Sequence, residues 1–70
     1  MFDYSKLEGR IVEKYKNKKN FCNAVGINYW TFTSKLRGEY QFSSDEIINI
    51  TEALEIPYSD INVYFFTQKV

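Results

Sequence analysis

Apolar side chains recur along this chain at helical rather than strand spacing. Tyr4, Leu7, Ile11 and Tyr15 fall three and four residues apart. That stripe predicts a helix from about Asp3 to Lys16, with Asp3 as its N-cap. The polar run Asn17-Lys18-Lys19-Asn20 breaks the stripe. A second short helix then carries Phe21, Cys22 and Val25 and ends at Gly26, a natural left-handed cap. Asn28 is a good N-cap for a third helix, which runs from about Tyr29 to Arg37 and stops at Gly38.

The fourth segment carries the clearest signal. Ser43 stands three residues before Glu46, the capping-box arrangement. Ile47, Ile50, Thr51 and Leu54 follow at i, i+3, i+4 and i+7, and Pro57 stops the helix near Glu55 or Ile56. A fifth short helix begins at Ser59-Asp60 and carries Ile61, Tyr64 and Phe65, leaving Phe66 to Val70 extended. Strand-like alternation is otherwise weak. The expected fold is all-α, five short helices in one domain over residues 1–70, with a short extended C-terminal tail.

Two short helices joined by a Gly-containing turn make the helix-turn-helix plan, and Phe21 to Asn28 read as helix, tight turn and cap. Cys22 suits the slot where the two helices meet, and Ile27 fills the hollow between them. A core place for Cys22 outweighs a redox role. At 100° per residue, Phe32 and Leu36 point together into the core. Trp30, Thr33, Ser34 and Arg37 then point away, with Tyr29 on the flank. An outward tryptophan on so small a protein marks a contact surface, unless it folds back over a neighbouring helix.

Composition narrows the classes. With 44% hydrophobic residues, 19% of the chain being aromatic, the sequence is too apolar for a disordered chain. Seventy residues bury only a thin core, which the six Phe, six Tyr and one Trp partly offset. Apolar runs of the length of Val63-Tyr64-Phe65-Phe66 span no membrane, and no signal peptide is expected. One cysteine and no histidine exclude zinc sites of the usual spacing and any histidine-based triad. No cofactor or metal is implied, an enzyme is a distant reading, and the expected environment is reducing and intracellular.

The formal net charge of zero hides an asymmetry. Residues 1–38 hold eight basic side chains against three acidic ones, a balance of +5, whereas residues 39–70 hold one against six, a balance of −5. One half could therefore present a positive field to phosphate. A helix the size of the third fits the major groove, with its N-terminal residues at base edges. On that reading Tyr29, Trp30, Thr33 and Ser34 contact bases, and Lys18, Lys19, Asn28, Lys35 and Arg37 contact phosphates. Each of these cations is, by default, an ordinary solvated surface charge.

The stretches MFDYSKLEGRIVEKY, FCNAVGINYWTFTSKLRG, FSSDEIINITEALEIP and YFFTQKV together resemble the small Cro/CI-type phage repressors. These belong to the lambda-repressor-like (XRE) helix-turn-helix superfamily, and the likeness is to those of temperate phages of Gram-positive bacteria. The resemblance covers essentially the whole chain, and the Gly26-to-Gly38 spacing carries it. It implies a lambda-repressor-like bundle in the cytoplasm of a bacterial host. It matches Lys18, Asn28 and Arg37 to phosphate-contacting slots, and Tyr29, Trp30 and Ser34 to base-reading slots with Thr33 nearby. Here both leading reading slots are aromatic, and the loop Glu39-Tyr40-Gln41 lacks basic residues.

Two functions are therefore expected. The first is a Cro-like repressor in a phage lysis–lysogeny switch, bound to double-stranded operator DNA, with a homodimer on DNA left open. The alternative is a modulator, or antirepressor, that covers the partner CI-type repressor with its outward aromatics, since Trp and Tyr are enriched in protein interfaces. A dimer surface could come from Ile61, Val63, Tyr64, Phe65 and Phe66, although most of these are expected to close the chain's own core.

Overall fold

A computed structural model describes residues 1–70. Five α-helices follow in chain order: α1 (Ser5–Tyr15), α2 (Lys18–Val25), α3 (Tyr29–Leu36), α4 (Ser44–Ala53) and α5 (Ile61–Phe65). A 3-10 turn at Tyr58–Asp60 leads into α5. The fold is all-α with five short helices, as the apolar spacing implies. No helix is long and apolar enough to cross a membrane.

Local chemistry sets most of the boundaries. Ser43 Oγ accepts from the Glu46 amide at 3.2 Å while a Glu46 carboxylate oxygen accepts from the Ser43 amide at 2.8 Å, so the capping box that starts α4 is complete. Asn28 starts α3 by accepting from the Thr31 amide at 3.0 Å. Gly26 ends α2 at φ 76°, in the left-handed region where a Cβ is costly.

Two boundaries differ from the sequence expectation. Asp3 is not the N-cap of α1: that position is Tyr4, and Asp3 Oδ1 accepts from the Ser5 amide at 2.9 Å just ahead of it. The polar run after Tyr15 is not a gap either. Asn17 is the N-cap of α2 and accepts from the Asn20 amide at 2.7 Å, so Lys18, Lys19 and Asn20 form the first turn. A polar first turn contributes nothing to an apolar stripe, so periodicity cannot show it.

Nine apolar side chains form the core: Leu7, Ile11, Phe21, Cys22, Phe32, Ile50, Leu54, Ile56 and Phe65. A relay of aromatic rings crosses it, with tilted and edge-on contacts typical of aromatic pairs. Tyr15 meets Phe21 at 5.2 Å between centroids, Phe21 meets Phe32 at 5.5 Å, Phe32 meets Phe42 at 5.9 Å, and Phe42 meets Phe65 at 5.6 Å. Tyr4 joins at Phe42, and Phe2 links Tyr4 to Phe66. Cys22 packs in this core, where burial pushes its thiol pKa up. In the fifth segment only Phe65 is fully buried, Ile61 and Tyr64 pack at the core's edge, and Val63 and Phe66 remain exposed.

The termini hold each other. Phe2 and Gln68 form an antiparallel bridge, in which the Asp3 amide donates to Thr67 O at 2.7 Å and the Lys69 amide to Met1 O at 2.9 Å. The tail is thus extended, as its sequence suggests.

The end of α4 is gripped by α1. Arg10 Nε donates to Leu54 O at 3.0 Å, its Nη2 reaches Glu55 O at 3.5 Å, and Tyr15 Oη donates to Ala53 O at 3.2 Å. Lys14 pairs with the Glu55 carboxylate. Arg10 and Tyr15 serve carbonyls that a helix C-terminus leaves without intrahelical partners, and Arg10 and Lys14 place cations where the helix dipole favours them. Glu55 itself takes φ 55°, an uncommon value for a residue with a Cβ.

Two outcomes follow from these contacts. Arg10→Ala lowers stability by about 2 kcal/mol, because it removes a charged cap from a partly buried helix end; Arg10→Lys recovers little of this, since an ammonium lacks the fork that spans both carbonyls. Urea midpoints read both changes. Thr51 is wholly buried with its hydroxyl unpaired. Thr51→Val, of nearly equal shape, therefore raises stability by about 1 kcal/mol, seen as a higher melting temperature.

Candidate functional site

The outward face of α3 is the surface the fold does not use. Phe32 lies on the opposite side, fully buried between Phe21 and Phe42, and it fixes the helix's rotation. Two residues earlier, and so about 200° around the helix, Trp30 is 74% exposed. It does not fold back onto the core; its ring stands edge-on to Tyr29 at 5.3 Å between centroids. Tyr29 is half-buried and packs at the core's edge. A shallow hollow lies on each side of Trp30. One is lined by Thr31, Ser34, Lys35, Tyr40 and Gln41, the other by Glu8, Lys18, Tyr29, Thr33, Leu36 and Arg37. Tyr40, in the loop after α3, adds a second large exposed ring.

The residues expected at bases and phosphates occupy varied settings. Thr33 lines the hollow beside Trp30 but is largely covered there, and its hydroxyl donates to Trp30 O at 3.1 Å. The Ser34 hydroxyl donates to the same carbonyl at 2.9 Å and is half-buried. Both hydroxyls make the local bonds that Ser and Thr favour within helices. The Asn28 side chain is occupied as the cap of α3, accepting also from the Thr31 hydroxyl at 3.3 Å.

The cations are mostly committed. Lys18 Nζ lies 3.0 Å from a Glu8 oxygen, Arg37 Nε lies 2.8 Å from a Glu39 oxygen, and Lys35 pairs with Glu46. Lys19 alone among the five phosphate candidates has neither an ion pair nor a capping role, and it is exposed. The sequence's two oppositely charged halves therefore meet in the fold. Lys14–Glu55, Lys35–Glu46 and Arg37–Glu39 each join one half to the other. These three pairs offset part of the charge asymmetry read from the linear count. Linear counting cannot register the Lys14–Glu55 and Lys35–Glu46 pairs, which depend on how α1, α3 and α4 are set against one another.

A small all-helical domain with an exposed tryptophan on a helix face whose cations are mostly paired is the class of protein these features define. The chain belongs to the family described as "protein of unknown function (DUF739)", whose model matches residues 1–68. The solution structure of the modulator of repression (MOR) of the temperate bacteriophage TP901-1 from Lactococcus lactis is similar to it. The TM-score is 0.84 at 39% identity, over 99% of this chain and 93% of that one. No curated protein matches the chain.

These findings correct the resemblance to Cro/CI-type repressors. The family is DUF739, and the similar solved protein is a modulator of repression. The reading as an operator-binding repressor falls with it. The structure supplies a physical reason: three of the four cations that reading needs are paired with carboxylates of the same chain.

The best-buried of these pairs also makes stability respond to pH. The Lys35 ammonium, followed by the Ser43 amide, holds the Glu46 carboxyl below its ordinary pKa. A carboxylate depressed in the folded state stabilises it fully above the unfolded pKa, and that stabilisation is lost as pH falls through the folded value. Glu46→Gln keeps an acceptor for the Ser43 amide and removes only the charge. The variant melts below the parent at neutral pH, and the gap narrows once the pH drops below about 4.3; thermal melts across that range measure it.

Proposed function

We propose that this chain is a phage modulator of repression that acts by docking on a repressor protein through the outward face of α3. It is a binding protein rather than an enzyme. The observation that carries the reading is Trp30: a large aromatic side chain held outward on a rigid helix, with its neighbouring cations already paired. Such a residue costs little conformational entropy to immobilise and buries much apolar area in a partner, which is why tryptophan is enriched among interface hot spots. Tyr29 braces it from the side, and Tyr40 extends the apolar surface across one hollow. The likeness to the phage modulator over nearly the full length of both chains supports the same reading.

The chain's single tryptophan makes the test direct. Titration of the CI-type repressor from the same phage into this protein shifts Trp30 emission to shorter wavelength as the ring leaves water. Trp30→Ala weakens the complex by about thirtyfold, the loss of a typical hot spot, and leaves the melting temperature nearly unchanged. Equal repressor affinity in Trp30→Ala and the parent, measured by calorimetry, sinks the assignment of this face.

A further inference from the structure

We infer that Glu8 and Glu39, with Glu46, are specificity residues that withhold the α3 face from nucleic-acid phosphate and leave it to a protein partner. The inference rests on the proposed docking role of that face.

The three carboxylates come from different parts of the fold: Glu8 from α1, Glu39 from the loop after α3, and Glu46 from the first turn of α4. Each is set against a different cation of the α2–α3 surface. Glu8 holds Lys18 at 3.0 Å and Glu39 holds Arg37 at 2.8 Å, and these two pairs stand beside the hollow on one side of Trp30. Glu46 holds Lys35, whose ammonium lies on the other side, 6.0 Å from the centre of the Phe42 ring. A helix face ringed in this way carries cations without carrying net charge.

The consequence for DNA is direct. Non-specific binding to a duplex comes from protein cations that replace the small ions condensed on phosphate. A lysine already matched by a carboxylate replaces fewer of them. To accept a phosphate, Lys18 or Arg37 would have to leave its partner, and the phosphate would then sit against a bare carboxylate. A protein partner meets no such barrier. Its polar groups can bond the free oxygens of Glu8 and Glu39 and the remaining donors of Arg37, while Trp30 enters an apolar hollow. The carboxylates thus discriminate by penalising the wrong ligand as well as by accommodating the right one.

The test compares two full-length variants of equal net charge. Glu8→Gln/Glu39→Gln releases Lys18 and Arg37 beside α3. Glu52→Gln/Asp60→Asn removes as many charges from carboxylates that hold no cation. The probe is a short fluorescent duplex of random sequence, titrated at several salt concentrations. The first variant gains at least about tenfold in affinity over the parent, with a log–log salt slope steeper by about two phosphate contacts, whereas the second gains under about twofold. A folded Glu8→Gln/Glu39→Gln variant that binds the duplex no better than the control overturns the inference. If that double variant fails to fold, Glu8→Gln and Glu39→Gln are titrated singly, each expected to show about half of the slope change; single variants no better than the parent overturn it too. Repressor binding by the parent is measured alongside. Its absence defeats the docking role alone, and the comparison on DNA still decides this inference.

Discussion

The grip of α1 on the end of α4 is the contact on which the rest of the arrangement depends. Helix α4 ends against a proline-containing turn, so its last carbonyls have no helical continuation to bond with. Arg10, Lys14 and Tyr15 supply that end from one face of α1. Their neighbours Leu7 and Ile11 enter the core on the same helix, so polar and apolar contacts fix α1 against α4 together. With α4 placed, Ile50 and Leu54 close the core. Phe42, just before α4, is then held where Phe32, Tyr4 and Phe65 can pack around it. The energy of any one contact is modest, and in a chain this small few others could replace it.

The same grip explains why the charge asymmetry does not become a charged surface. The basic half and the acidic half are adjacent because α1 and α3 come from one and the end and start of α4 from the other. Pairing of Lys14 with Glu55 and of Lys35 with Glu46 is then a by-product of packing. Exposed ion pairs such as Arg37–Glu39 add little to stability. Their effect is on what the surface offers: polar groups of both signs around a hydrophobic ring, instead of a positive field that would attract any phosphate polymer.

Much of this was legible in the sequence, and the parts that were not share a cause. Helices appear wherever an apolar stripe or a cap announces them, so the Ser43–Glu46 box, Gly26, Asn28 and the opposed Phe32 and Trp30 all read correctly. The first turn of α2 escaped because Asn17, Lys18, Lys19 and Asn20 carry no stripe. Thr33 was placed outward by its position on the helix, yet it is covered: a small side chain near the boundary of a face depends on its neighbours and not on angle alone. The ion pairs escaped because Glu8 and Lys18 are ten residues apart and Lys35 and Glu46 eleven, across turns whose geometry spacing does not give. The resemblance to Cro/CI-type repressors failed at the same point. A helix-turn-helix pattern records how α2 and α3 pack, whereas the ligand is decided by what surrounds them.

That separation has a consequence for how such a surface can change. On α3 the core side is set by Phe32, with Leu36 at its margin, whereas the outer side is set by Trp30, Thr31 and Ser34. The two sets share a backbone but few contacts, so substitutions on the outer side act nearly independently of those that maintain the fold. The carboxylates around the rim are equally detachable, except for Glu46, which also starts α4. A chain built this way can exchange one partner for a related one by altering a few exposed residues at little cost to its core. It cannot lose Glu46 on the same terms, because that carboxylate closes a helix cap and neutralises Lys35 at once. Among the three rim acids, Glu46 therefore ties the α3 face to the fold, whereas Glu8 and Glu39 have no such second role.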